Sequence, residues 1–282
     1  MRTPGLAGSQ GPSVWVQAGG GSDTERSRPT YNIAAVSPVT LTPDTDIQDN
    51  WTGAQAGLDY GMGPWGVGFT AGVGQQTGRF KSNSATLDLN GFNVGAYARY
   101  QEGGLFLDAL VKYDSYTVKQ DAAAFNVGFN GSTTGAELQA GYHYVSGALF
   151  IEPVASVSFT GPSLQTFNSS VAGAQAAFSG GHSAYASAGV RVGETQPYGV
   201  WTVQPYAGAY VEGEMSANNS AIITTGAQSQ FLGDPRQASL ARFELGVIGK
   251  APSGLELSAK VGGETGGTIN GVDGKVGLTW RW

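Results

Sequence analysis

The sequence predicts an all-β protein: a 12-stranded antiparallel transmembrane β-barrel of the outer-membrane type, with short periplasmic turns and long extracellular loops. Three observations carry this. Side-chain character alternates with period 2 in about twelve segments. The links between those segments alternate between tight and long. The composition joins few charges to many glycines and aromatics: of 282 residues, 45 are Gly, 12 Tyr, 12 Phe and 6 Trp, and only 13% are charged. That charged share is about half the usual one. No run approaches the ~20 apolar residues of a membrane-crossing helix.

The segments fall at 13–21, 51–61, 65–77, 91–102, 104–117, 134–146, 147–160, 183–194, 199–213, 239–250, 254–263 and 272–282. A long polar stretch, Ser22 to Asn50, follows the first. Gly61-Met62-Gly63-Pro64 then makes a tight turn, and Gly78 to Asn90 a longer link. Glu102-Gly103-Gly104 is tight, and Lys119–Thr133 is long. Ser146-Gly147 is tight, Gly161–Gly181 long, and Glu194–Tyr198 short. Gly213–Ala238 is long, Ala251-Pro252-Ser253-Gly254 short, and Gly262–Gly271 moderate. An outer-membrane barrel produces this rhythm because one rim carries turns and the other carries surface loops. An even strand number puts both strand termini on the short-turn, periplasmic side.

Within segments the two faces separate. In 136–144, Ala136, Leu138, Ala140, Tyr142 and Tyr144 oppose Glu137, Gln139, Gly141 and His143. In 241–247, Ala241, Phe243, Leu245 and Val247 oppose Arg242, Glu244 and Gly246. A soluble sandwich would turn the apolar face inward, and a lipid-embedded barrel would turn it outward. Aromatics at the ends of apolar faces (Tyr60, Tyr100, Tyr113, Tyr144, Trp280, Trp282) favour the barrel, as interfacial girdles do. Opposite charges and glycines on the polar faces suit a hydrated lumen.

Twelve strands enclose a lumen between a side-chain-filled small barrel and a wide porin channel. The side chains expected to line it, and to contact any segment inside, are Gln17, Gln55, Asp59, Arg99, Asp108, Lys112, Glu137, Gln139, Glu152, Arg191, Gln204, Tyr206, Arg242, Glu244, Lys260 and Arg281. Their plainest role is to pair with one another across the wall.

The net charge of −6 and the lack of any basic patch argue against nucleic acid as a partner. Without cysteine there is neither a disulfide framework nor a thiolate metal site. No metal ligand set, phosphate loop or cofactor is expected. Met1-Arg2-Thr3-Pro4-Gly5 opens no signal peptide, so a barrel beginning here is expected to be part of a longer protein.

Several segments together resemble the C-terminal translocator barrel of type V autotransporters. Ser13-Val14-Trp15-Val16-Gln17-Ala18-Gly19-Gly20 resembles the family's opening strand. Gly53-Ala54-Gln55-Ala56-Gly57-Leu58-Asp59-Tyr60 resembles its G-x-Q-x-G-x-D strand, and Gly95-Ala96-Tyr97-Ala98-Arg99-Tyr100 the strand that follows. Ile151-Glu152-Pro153-Val154-Ala155 resembles L-E-P-x-A. Gly277-Leu278-Thr279-Trp280-Arg281-Trp282 is similar to the terminal strand, whose aromatics, here Trp280 and Trp282, form an assembly signal for the barrel-assembly machinery. The resemblance covers 13–282 and implies a monomeric barrel in outer-membrane lipid and lipopolysaccharide that exports and anchors its own N-terminal passenger. It also implies that residues 1–12, rich in Pro and Gly, are the linker after a pore helix, which this chain lacks. The family's self-cleaving Asn pair is not found before the barrel; Asn218-Asn219 falls in a surface loop.

A passive outer-membrane pore is the alternative reading, and a barrel hydrolase a more distant one. Outer-membrane phospholipase A uses His with Ser two residues later. His143 is followed by Tyr144 and Val145, and His182 is followed directly by Ser183, so that pattern fails. Neither His has the Asp two positions earlier that omptin proteases need. His143 is expected to be a lumen side chain and His182 to mark a loop-to-strand boundary. No catalytic residue is expected.

Overall fold

A computed structural model describes residues 10–26, 31–33, 39–41, 46–82, 85–122, 125–168, 174–179, 181–218, 220–225, 228–233 and 239–282. Twelve long strands build the barrel: β1 (Gly11–Glu25), β2 (Ile47–Met62), β3 (Trp65–Phe80), β4 (Thr86–Glu102), β5 (Leu105–Ala122), β6 (Phe125–Tyr142), β7 (Leu149–Leu164), β8 (Ser183–Glu194), β9 (Trp201–Ala217), β10 (Leu240–Lys250), β11 (Leu255–Gly266) and β12 (Ile269–Arg281). Each pairs antiparallel with its neighbours in sequence. β1 also pairs with β12, from Ser13↔Arg281 to Glu25↔Ile269, so the sheet closes and leaves no edge. Closure satisfies every ladder amide internally, which a spanning structure requires where lipid offers no hydrogen bonds. Among the described residues no helix is long and apolar enough to cross a membrane; the strands form the closed wall.

The faces are inverted relative to a water-soluble protein. Leu58 (64% exposed), Phe69 (71%), Val73 (62%), Leu245 (62%) and Val261 (60%) point outward with no protein over them. Asp59, Arg99, Glu152, Glu244 and Glu256 are buried on the other face. Tyr60, Tyr113, Tyr144, Trp280 and Trp282 are exposed. Tyr100 is half-buried against Trp65, with ring centroids 4.9 Å apart.

All twelve expected segments are strands, but most run longer, and the excess lies at one rim. The expected link 78–90 shrinks to 81–85, because β3 reaches Phe80 and β4 starts at Thr86. The expected link 119–133 is mostly strand, since β5 continues to Ala122 and β6 starts at Phe125. The moderate link 262–271 is a tight turn instead: Gly266 and Gly267 take φ of 131° and 56°, which glycine adopts without strain. These extensions stand past the apolar belt. Both of their faces meet polar surroundings there, so alternation fades and the residues read as loop. The long connections also carry structure of their own. Tyr31–Ile33 pairs with Val39–Leu41. Phe167–Asn168, Ala174–Ser179, Ser220–Thr225 and Gln228–Gly233 form a separate four-stranded sheet that joins the β7–β8 and β9–β10 connections. At the opposite rim the expected short turns hold, with φ of 65° at Gly63, 63° at Gly147 and 60° at Gly199. Of the expected linker 1–12, residues 1–9 lie outside the described residues, and β1 already includes Gly11 and Pro12.

Inward glycines seat the inward aromatics. The Trp15 indole lies across Gly57, Phe106 across Gly141, Phe150 across Gly193 and Tyr206 across Gly246. A ring laid flat on a neighbouring strand fills the wall without closing the lumen, and only a residue without Cβ permits the approach. A Cβ on Gly193 would press on the Pro205 carbonyl oxygen and lie 2.6 Å from Phe150 Cζ. Gly193→Val is therefore expected to lower folding stability by about 1–3 kcal/mol, read as a lower urea midpoint in lipid. An unchanged midpoint would show that the ring has room to move.

Candidate functional site: the polar lumen

The inward side chains are held by strand parity: odd positions on β1, β2, β4, β8 and β12, and even positions on β3, β7, β10 and β11. They sort into two walls of different chemistry.

The β1–β5 wall is built from amides, hydroxyls and two ion pairs among the described residues. Near the short-turn rim, Ser13 Oγ donates to Asp59 Oδ2 (3.1 Å). Trp15 Nε1 donates to Tyr97 OH (2.7 Å) and Asp59 Oδ1 (3.3 Å). Arg99 and Asp108, register partners on β4 and β5, pair at 2.9 Å. One level further in, Gln17 Nε2 donates to Gln55 Oε1 (2.6 Å), and Gln55 Nε2 donates to Asn93 Oδ1 (3.3 Å). The result is a short ladder of amides from β1, β2 and β4 that passes over Gly72 of β3. Lys112 pairs with Asp114 on its own strand at 2.9 Å.

The β7–β11 wall is a charge network centred on Arg191 and Glu244. Arg191 Nη1 donates to Glu152 Oε1 (2.5 Å), and its Nε and Nη2 donate to Glu244 Oε1 (3.1 and 3.0 Å). Tyr210 OH donates to the same oxygen (2.7 Å), and Lys260 Nζ donates to Glu244 Oε2 (3.0 Å). The guanidinium also lies over the Tyr206 ring, 5.0 Å from its centroid. Glu152 is 1% exposed and meets His143 Nδ1 at 2.9 Å, so a basic group flanks it on either side. A carboxylate so deeply buried persists only with such partners. Gln204 Nε2 donates to Thr195 Oγ1 (3.0 Å), and Arg281 Nη2 donates to Glu256 Oε2 (3.3 Å). Glu137, Gln139 and Arg242 line one cavity with Arg191, Glu244 and Lys260.

The expected lumen residues thus share the inner wall but not one cluster: Gln55, Asp59, Arg99, Asp108 and Lys112 stand apart from the Arg191 network. Sequence reading passed over Ser13, Trp15, Tyr97, Tyr210, Glu256 and Lys275. Glu256 was findable, because it shares the parity of Lys260, and Lys275 shares that of Arg281. Trp15 was not, because an indole reads as apolar until its N–H is seen to reach Asp59 and Tyr97. His182 lies just before β8 and stacks on Phe159, with centroids 6.2 Å apart. Asn218 lies just past β9, outside the barrel strands, and its amide donates to the His182 carbonyl (2.9 Å). Residue 219 is outside the described residues. Trp280 and Trp282 pack together outside the barrel at the short-turn rim, with centroids 5.5 Å apart. The Trp282 amide donates to the Pro12 carbonyl (3.4 Å) and so ties the last residue to β1.

Comparison with known proteins follows the same lines. The family model for the autotransporter beta-domain matches residues 14–262. The fold is similar to the β domain of the Bordetella autotransporter BrkA, with a TM-score of 0.73 and 20% identity over 97% of this chain and 100% of that one. It is similar to the transport unit of AIDA-I from Escherichia coli (TM-score 0.79, 17% identity, 96% of this chain, 90% of that one). It is also similar to the translocator domain of NalP from Neisseria meningitidis (TM-score 0.75, 15% identity, 97% of this chain, 89% of that one). No curated protein matches the chain.

Proposed function

The chain belongs to the autotransporter β-domain family, and from that premise we propose how this barrel sits and what its lumen holds. It is an integral outer-membrane translocator barrel serving the export of an N-terminal passenger. In our reading the short-turn rim and both strand termini face the periplasm, and the long connections face outward. The passenger joins before β1 through the residues that precede Gly11, which include Pro4, Gly5 and Gly8. The segment that follows the passenger lies in the lumen against the two walls described above. The barrel is monomeric, meets lipid and lipopolysaccharide on its apolar face, and has no chemistry of its own. The observation that supports this most is the closed sheet with its faces inverted. An extended chain can pass through such a lumen with its amides next to polar groups rather than lipid.

The direct test is an epitope placed before residue 1 behind an export signal. We expect it on the cell surface, where added protease removes it. An inserted barrel with the epitope retained in the periplasm would contradict the reading. A second expectation concerns assembly. Trp282 is exposed beside Trp280 at the rim, and it resembles the family's terminal aromatic. Deleting Trp282 is expected to cut sharply the amount of heat-modifiable barrel in the membrane, without lowering the urea stability of the fraction that folds. Wild-type levels in the deletion strain would remove Trp282 from any assembly role.

A further inference from the structure

We propose that the long-loop mouth of the lumen is a binding site for an extended polycation, such as a polyamine or a basic stretch of polypeptide. Across the inner wall at that rim, Glu264 (β11), Gly271 (β12), Asp23 (β1), Asp49 (β2) and Gly78 (β3) stand side by side in register. Asp23 and Asp49 are direct partners, an arrangement of like charges that weakens a strand pair. Arg242 is the register partner of Glu264 on its other side and borders the row with a positive charge. The two glycines leave bare backbone for the carboxylates to lean over. Glu264 Oε1 lies 3.2 Å from where a Cβ on Gly271 would sit, and Asp49 Oδ1 lies 2.6 Å from that point on Gly78. Asp49 is only 6% exposed, and its Oδ1 has no hydrogen-bond partner. A buried carboxylate beside a like charge is unfavourable until a proton or a cation neutralises it, and a row of them favours a cation that reaches several at once.

The shape of the row selects the ligand. Three strand steps of about 4.8 Å place the backbones of Glu264 and Asp49 roughly 14 Å apart. A single metal ion holds its oxygens at about 2.3–2.6 Å and cannot gather such a row. Among the described residues no acidic group is compact enough to hold a metal. A chain of amines or guanidinium groups spans it. Deeper in, the sign reverses: Lys275 lies 5.8 Å over the Trp51 ring, with Lys260 as its register partner. A polycation entering from the long-loop side is therefore held at the mouth rather than drawn through.

The test is calorimetric titration of spermine, and separately of oligolysine, into the full chain folded in detergent. We expect saturable binding that weakens as salt is raised. Binding should fall by at least about tenfold in Asp23→Asn/Asp49→Asn, and Mg²⁺ should bind far more weakly. Binding of spermine alone identifies a free polyamine as the ligand, and binding of oligolysine alone identifies a polypeptide. Without ligand the double variant should unfold at higher urea than the wild type, because repulsion is relieved. If it does not fold, Glu264→Gln is titrated in its place. The proposal is overturned if neither polycation binds, if Mg²⁺ binds as well as they do, or if a folded variant binds unchanged. Failure of the epitope to reach the cell surface would leave this site unaffected.

Discussion

Glu244→Ala is expected to destabilise the folded barrel by about 3–5 kcal/mol, the usual consequence of removing one partner from a buried charge group. Glu244 is 5% exposed and accepts from Arg191, Tyr210 and Lys260. Its loss would leave the Lys260 ammonium without its close partner and Arg191 with Glu152 alone. The excess positive charge would stand beside Arg242 on the same strand and Lys275, the register partner of Lys260. Glu244→Gln should be milder, because the amide oxygen still accepts from Tyr210 or Lys260. Urea unfolding in lipid vesicles measures both. A cost below about 1 kcal/mol for the alanine variant would mean that lumen water screens the network, and that the pairs contribute orientation rather than stability.

Leu138→Arg should cost about 2–4 kcal/mol, the range for a cation at mid-membrane depth on a barrel's lipid face. Leu138 is 51% exposed, with Ala109 and Val157 as its register partners. About half of its surface is left open on the outer face, where lipid is expected to meet it. The adjacent Glu137 lies on the opposite face, in the cavity with Arg191 and Arg242. Glu137→Gln changes charge in a polar setting and should cost far less. This contrast between adjacent residues is the signature of an inside-out sheet. Equal costs would mean that the two faces see the same solvent.

Much of this was legible in the sequence because a barrel strand carries a strict period. Leu138 and Glu137, or Leu245 and Glu244, are separated by parity alone, and the glycine turns mark the short rim. Strand ends at the other rim were not legible. Around Gln75–Phe80 and Thr117–Ala122 the chain leaves the apolar belt, so both faces become polar and the alternation stops while the ladder continues. The turn at Gly266-Gly267 was hidden for a related reason, since glycines also fill the strands on either side. Within the lumen, parity gave the wall but not the neighbours. That Arg191 bridges Glu152 and Glu244 depends on the stagger of β7, β8 and β10, which no single strand records. Likewise the row Glu264–Asp23–Asp49 joins residues from both ends of the chain and exists only once β12 closes on β1.

The central claim is the direction of the two faces, and the absence of cysteine makes it directly measurable. Single cysteines at Leu58, Phe69, Leu138 and Val261, and at Gln55 and Gln139, would each carry a nitroxide in barrels reconstituted in vesicles. The account predicts that labels at the first four sites relax with lipid-soluble oxygen and ignore a water-soluble nickel chelate. Labels at Gln55 and Gln139 should respond to the chelate. The reverse pattern, or the chelate reaching all six, would contradict it.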